Sequence, residues 1–219
     1  MTKASRGRPG RVARPAPAPS EAEPLPGQLE LVRPPAPGQL ELVRDFLNTL
    51  DSDRGTDALA TPAGLAAWLQ RHDVLPPSSP FEATDDDAAR ARRIREDLRA
   101  LARRNNGVAC ACSMEGLEDA SARSGFALAF DPEGASARLR PTAAGLDGAL
   151  GRILAAVHAA MLAGTWSRLK ACADDGCAWA YYDRSKNGCS RWCDDTCLNR
   201  SKVKRFRERR SVGPTPAPG

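Results

Sequence analysis

Four cysteines near the C-terminal end of this 219-residue chain have the types and spacing of a metal shell. Cys172 and Cys177 are separated by four residues, Cys193 and Cys197 by three, and fifteen residues lie between the pairs. A closely spaced pair suits a tight turn that lets both sulfurs share one ion. Two such pairs close a tetrahedron of thiolates, the arrangement of a structural zinc site. A four-thiolate shell leaves no position open for water or substrate, so the Zn2+ expected here holds structure and does not catalyse. Cys189, just ahead of the second pair, has alternative readings. It is a free surface thiol, or it replaces Cys193 or Cys197 as a ligand, or it exchanges with them under oxidation.

Beyond the last cysteine the chain turns basic. Helical spacing puts Asn199, Val203, Phe206 and Arg210 on one face, where Val203 and Phe206 are expected to pack onto the finger. Arg200, Lys202, Lys204, Arg205 and Arg207 are the expected nucleic-acid contacts, with Arg209 continuing the outer surface and only Glu208 opposing. Clustered cations repel one another, and a polyanion relieves that repulsion. Lys and Arg reach phosphates, and Arg can fork onto guanine in the major groove. The charge is concentrated in this region. Residues 166–219 hold twelve Lys/Arg against six Asp/Glu, whereas residues 45–165 hold thirteen against seventeen.

The same stretch resembles the bacterial CGNR zinc-finger proteins. The resembling residues are Cys172 and Cys177, then Trp179, Tyr181 and Tyr182, then Asp183-Arg184-Ser185 and Arg191-Trp192-Cys193. The family's name tetrapeptide reads Cys197-Leu198-Asn199-Arg200 here, with leucine where the family has glycine. Upstream, LELVRDFLNTLD from Leu40 and DALATPAGLAAWL from Asp57 resemble the ABATE-type domain that precedes such fingers. The resemblance implies a transcription regulator. It also implies a ligand-sensing or association role for the front domain, so a small-molecule ligand and a homo-oligomer join DNA among the expected partners.

The elements that must position these residues divide the chain in four. Residues 1–38 are rich in Pro, Ala, Gly and Arg and are expected to be a disordered tail. The octapeptide PGQLELVR occurs there at Pro26–Arg33 and again at Pro37–Arg44, and only the second copy leads into an apolar-periodic segment. Residues 39–165 are expected to form a mainly helical domain with one small β-hairpin that folds alone and carries no DNA affinity. Residues 166–210 form the four-cysteine zinc finger with its basic helix, and 211–219 a second disordered tail.

Within the domain, Leu40, Val43, Phe46, Leu47 and Leu50 give a first helix. Asn48, Asp51 and Arg54 are polar residues in or just after it, with a capping role favoured. Thr61-Pro62 starts a second helix carrying Leu65, Trp68 and Leu69. Thr84 starts a third. There Asp85, Asp86 and Asp87 suit the helix start better than a metal, because consecutive helical residues point apart. Ala91, Ile94, Leu98 and Leu101 make its buried face, and Arg90, Arg92, Arg93, Arg95 and Arg99 a solvated, salt-bridged one. Residues 105–125 are hard to read, with Cys110 and Cys112 taken as small buried residues of a short helix or loop. Phe126, Leu128 and Phe130 alternate before the turn Asp131-Pro132-Glu133-Gly134, which predicts the hairpin. A long helix after Pro141 carries Leu146, Leu150, Ile153, Leu154, Val157 and Met161 on one stripe.

The chain has only His72 and His158, no H-E-x-x-H, no Gly-rich phosphate loop and no G-x-S-x-G elbow, so nothing points to an enzyme. No unbroken apolar run nears the ~18 residues of a membrane span, and no apolar segment follows the basic N-terminus, so a cytoplasmic protein with no membrane partner is expected. DNA binding is the leading reading. The alternatives are a zinc-dependent protein-interaction or RNA-binding module, or a thiol redox switch built on Cys189, Cys110 and Cys112.

Overall fold

A computed structural model describes residues 34–75, 81–109 and 113–211. The readings placed on residues 1–33, on Cys110 and Cys112, and on 212–219 lie outside the described residues.

The fold is mainly α, with β structure limited to three two-stranded antiparallel ladders among the described residues. Helix α1 (Leu40–Leu47) buries Leu40, Val43, Phe46 and Leu47, the periodic set read from the sequence. A two-residue ladder of β1 (Leu50–Asp51) and β2 (Thr56–Asp57) follows. Helix α2 (Pro62–Arg71) starts where Thr61 accepts a hydrogen bond from the Gly64 N–H at 3.1 Å. It buries Leu65, Trp68 and Leu69. Helix α3 (Asp85–Asn105) opens on a reciprocal cap. The Thr84 hydroxyl accepts from the Asp87 N–H, and the Asp87 carboxylate accepts from the Thr84 N–H at 2.9 Å. The acidic triplet therefore serves the helix start.

The arginine face of α3 differs from expectation. Arg95 and Arg99 are 3% and 4% exposed, not solvated. Arg95 grips Asp57 with two hydrogen bonds of 2.6 and 2.9 Å and the Thr49 hydroxyl with a third. Arg99 donates to the Leu47 carbonyl at 2.6 Å and also to the Ala178 carbonyl. These arginines are internal because they satisfy carbonyls and a carboxylate left by other elements, and a planar five-donor group suits that task.

Helix α4 (Glu115–Ser124) occupies the region the sequence left unread, and it buries only Ala120 and Ser124. The hairpin comes next as β3 (Phe126–Phe130) and β4 (Ala137–Pro141), with Leu128 opposite Leu139. Its outer apolar residues stay in solvent, with Leu128 and Phe130 62% and 70% exposed. Helix α5 (Gly145–Leu162) is the central core helix. Leu146, Leu150, Ile153 and Val157 are buried on it, while Met161 at its end is exposed. Gly151 lets β4 and α4 press close, since a Cβ there would stand 2.7 Å from Pro141 and from Ser124. Among the described residues α5 is also the one helix long and apolar enough to cross a bilayer, although Asp147, Arg152 and His158 interrupt it. Half of it is buried inside the protein, as a core helix would be.

A single 3-10 turn (Trp166–Arg168) leads into β5 (Leu169–Ala171), which pairs with β6 (Ala180–Tyr182). Helix α6 (Asp195–Ser211) ends the described chain. The β5–β6 ladder divides its residues by face. Leu169, Ala171, Ala180 and Tyr182 join Trp166 in the same core as α1, α2, α3 and α5. Tyr181 lies in a second cluster with the four cysteines. Strand alternation produces this split. The finger's hairpin thus supplies part of the core of the helical domain expected to fold alone.

Candidate metal centre and basic helix

The first cysteine pair sits on the turn joining β5 to β6. The Cys172 N–H donates to the Trp179 carbonyl at 2.9 Å, and the Cys177 N–H donates to the Asp174 carbonyl at 3.0 Å. The Asp174 side chain accepts from the Gly176 N–H, also at 3.0 Å, and so folds the turn. The second pair is delivered by the loop 183–192 and the start of α6. Asp194 caps that helix, its carboxylate accepting from the Cys197 N–H at 2.8 Å. Leu198 is therefore helical, and no residue of α6 has positive φ. Leucine in place of the family glycine is compatible with this backbone and is a better helix former.

A buried ion pair organises the loop between the pairs. Lys170 and Asp183, side chains 5% and 1% exposed, meet at 2.8 Å. Lys170 also donates to the carbonyls of Gly188 and Ser190. Asp183 accepts from the Ser185 and Ser190 N–H groups at 2.9 Å each. Burial works against the charge on Asp183, but the hydrogen bonds from Lys170 and Ser185 outweigh it and hold its pKa below the usual carboxylate range. Asp183 belongs to the motif read from the sequence; its partner Lys170 had no signal, lying thirteen residues upstream.

The helical domain grips this unit through side-chain amides. Asn48 acts as an extra strand edge, donating to the Ala180 carbonyl at 2.9 Å and accepting from its N–H at 2.7 Å. Asn106, buried at the end of α3, donates to the carbonyls of Ala171 at 2.9 Å and Arg191 at 2.8 Å. Asn105 does the same for Trp166 and Leu169. Asn48 stands at the C-cap of α1, the role favoured for it, and its side chain adds a contact across 132 positions of sequence.

These contacts bring four sulfurs together. The Sγ atoms of Cys172, Cys177, Cys193 and Cys197 all lie within 4.8 Å of one another, and all four residues are buried. Cys177 and Cys193 are 3.7 Å apart, Cys193 and Cys197 3.6 Å. A tetrahedral ion with metal–sulfur bonds of about 2.3 Å sets its sulfurs about 3.8 Å apart. A disulfide would need about 2.05 Å. The donor set therefore fits one tetrahedral soft-to-borderline cation. Without a cation, hydrogen bonds from Cys177 and Cys193 favour the Cys172 thiolate. Donation to Cys172 raises Cys177 and Cys193, and burial raises Cys197. Four adjacent thiolates need a positive ion between them. Cys189 is exposed and stands outside the cluster.

The predicted nucleic-acid contacts divide in two. Arg200 is 43% exposed but is engaged by groups of its own chain. It donates to Cys197 Sγ at 3.0 Å and to Asp53 at 3.2 Å, and pairs with Asp174 at 3.0 Å. Lys204 pairs with Asp175 at 3.0 Å. Lys202, Arg205 and Arg207 face outward and are exposed. Arg205 also lies over the Trp192 ring at 5.7 Å. Val203 and Phe206 are 48% and 53% exposed, which corrects the expectation that they pack on the finger. Two of the finger's aromatics are used elsewhere, Tyr181 among the sulfurs and Tyr182 in the domain core.

Comparison with known proteins now bears on this arrangement. The family model for the ABATE domain, described as "Putative stress-induced transcription regulator", matches residues 40–165. The chain belongs to the ABATE family. Its C-terminal module, residues 168–210, matches the CGNR zinc finger. The ABATE domain therefore comprises α1 to α5, and the CGNR finger comprises β5, β6, the four cysteines and most of α6. Both descriptions are of regulatory or zinc-finger proteins, and neither names a reaction. No curated protein matches the chain.

Proposed function

We propose that the chain is a DNA-binding transcription regulator in which Zn2+, held by Cys172, Cys177, Cys193 and Cys197, fixes the CGNR finger and α6 meets DNA. The observation that supports this best is the charge on an unpacked helix. Every residue from Lys202 to Arg210 is exposed, and six of these nine are Lys or Arg against the single Glu208. An α-helix of this width fits the major groove, and cations along it replace the counterions of the phosphates. The contacts assigned are Lys202, Arg205, Arg207 and Arg209, with Lys204 joining by exchanging Asp175 for a phosphate. Reduced thiols and DNA meet in the cytoplasm, which is the compartment proposed.

The test is duplex binding by the full-length zinc-loaded chain, followed by fluorescence anisotropy across a salt series. Five phosphate contacts give a slope of log K against log salt of roughly −4.5. Replacing Lys202, Arg205 and Arg209 together by Gln flattens it by about 2.7 and leaves zinc content unchanged. Affinity unaltered in that variant at low and high salt alike overturns the reading.

The exposure of Val203 and Phe206 favours a second reading, in which α6 lays an apolar pair into a protein groove. Serine at both positions then abolishes capture of the protein partner and leaves the DNA salt slope as it was.

A further inference from the structure

We infer that Arg200 is the positioning residue of the metal centre, a three-way clamp that joins a sulfur of the second cysteine pair to the turn of the first pair and to the ABATE domain. The inference rests on the reading of the four sulfurs as a metal site.

Each of the three guanidinium nitrogens of Arg200 has its own partner. Nη2 donates to Cys197 Sγ at 3.0 Å. Nε forms an ion pair with Asp174 at 3.0 Å without hydrogen-bond geometry, and Asp174 is the residue whose carbonyl and side chain fold the turn carrying Cys177. Nη1 donates at 3.2 Å to Asp53, which lies between β1 and β2 of the ABATE domain. The helix makes the first contact local, since Arg200 follows Cys197 by three residues and both lie on one face. The other two partners come from 26 and 147 positions away. A planar guanidinium spreads its donors over three nitrogens and so reaches three partners set apart from one another, whereas an ammonium offers all its donors from one nitrogen.

Chemistry gives the clamp a purpose. Four thiolates around a divalent cation leave an excess of two negative charges in a buried site. A charge-assisted N–H···S bond to Cys197 offsets part of that excess and fixes the sulfur's lone-pair direction, as partners around a metal's ligands generally do. The two carboxylates keep the guanidinium in place. Exchange of Asp53 or Asp174 would release it toward solvent, so the clamp also ties α6 to the body of the protein. On this account Arg200 is not a phosphate contact, although it sits at the head of the basic helix.

The experiment uses the full-length chain with Arg200→Gln, Arg200→Lys and Asp53→Asn, each loaded with one equivalent of Zn2+ and, separately, Co2+. Transfer of Zn2+ to a chromophoric chelator is followed in time, and the Co2+ thiolate charge-transfer and ligand-field bands are recorded. Arg200→Gln is expected to speed zinc release by about tenfold or more and to shift the Co2+ bands, the scale seen when partners of metal ligands are removed. Arg200→Lys keeps the charge but not the fork, and falls between wild type and Arg200→Gln. Asp53→Asn speeds release less and leaves the bands in place, because only the domain leg is lost. Unchanged release and unchanged bands in both Arg200 variants overturn the proposal. A DNA salt slope that flattens by about 0.9 in Arg200→Gln with no change in metal release also overturns it, in favour of a phosphate contact. Failure of wild type to take up a stoichiometric metal refutes the metal reading itself and is seen before any variant is compared. Arg200→Lys and Asp53→Asn retain the comparison if Arg200→Gln fails to fold.

Discussion

Two residues show how much of this molecule depends on buried polar groups meeting the right partner. Arg95 is internal and faces Asp57 with two hydrogen bonds. Burial resists ionisation of Asp57, but the hydrogen bond and charge of Arg95, with the Leu59 N–H, outweigh it, and its pKa is lowered. A carboxylate whose folded pKa lies below its unfolded value of about 3.9 contributes stability that is fully present above that value. The contribution is lost as pH falls through the folded pKa. Asp183 works in the same direction against Lys170. Urea unfolding of the zinc-loaded chain should therefore show Asp57→Asn destabilised at pH 7 by up to about 3 kcal/mol, because a buried guanidinium loses its counterion. At pH 3, where protonation of the thiolates has released the metal from variant and wild type alike, the gap between the two should narrow. A gap that widened in acid would contradict the sign of the shift.

The elements differ in how far local sequence determines them. Thr84 and Asp87 cap α3 from within four residues, and Asp194 caps α6 in the same way. Such contacts are readable because donor and acceptor are neighbours in the chain. Leu198 follows from the second of these caps. It lies in the first turn of α6, half-buried, with no positive φ required. Leu198→Gly should cost about 1 kcal/mol of helix stability. The loss is expected as a lower helical circular dichroism signal and a lower melting temperature of the zinc-loaded chain. A melting temperature unchanged or raised would mean that the position prefers the freedom of glycine. The outer part of α6 departs from its sequence pattern for a reason at the same scale. Periodicity marks Val203 and Phe206 as a stripe, but a stripe is buried only when another surface is free to receive it.

At the scale of the whole molecule, the CGNR finger and the ABATE domain share a core. Trp166, Leu169 and Tyr182 are 8%, 0% and 8% exposed and pack with residues of α1, α3 and α5. Their burial is worth on the order of 5–8 kcal/mol, which is comparable to the net stability of a domain. A chain ending at residue 165 should therefore aggregate or melt well below the full-length protein, by more than about 10 °C in differential scanning fluorimetry. Chelation of the full-length protein should lower the same transition, because the loosened sulfurs free the β5–β6 hairpin that the core needs. A truncated chain as stable as the whole would show that the shared packing contributes little.

The sequence by itself determined which four cysteines cluster. It also determined the caps of α2 and α3, the buried stripes of α1 and α5, the β3–β4 hairpin and the basic character of α6. All of these are encoded by neighbours a few residues apart, where spacing and backbone geometry decide the outcome. Only the tertiary structure decided the rest. It set Asn48 against Ala180 across 132 positions and Arg200 against Asp53 across 147. It turned Arg95 and Arg99 inward to meet Asp57, Leu47 and Ala178, and it left Val203 and Phe206 in solvent while Tyr181 and Tyr182 pack elsewhere. The physical reason is common to all four. A polar or apolar side chain is buried when a complementary group is brought to it, and which group arrives depends on the packing of distant elements.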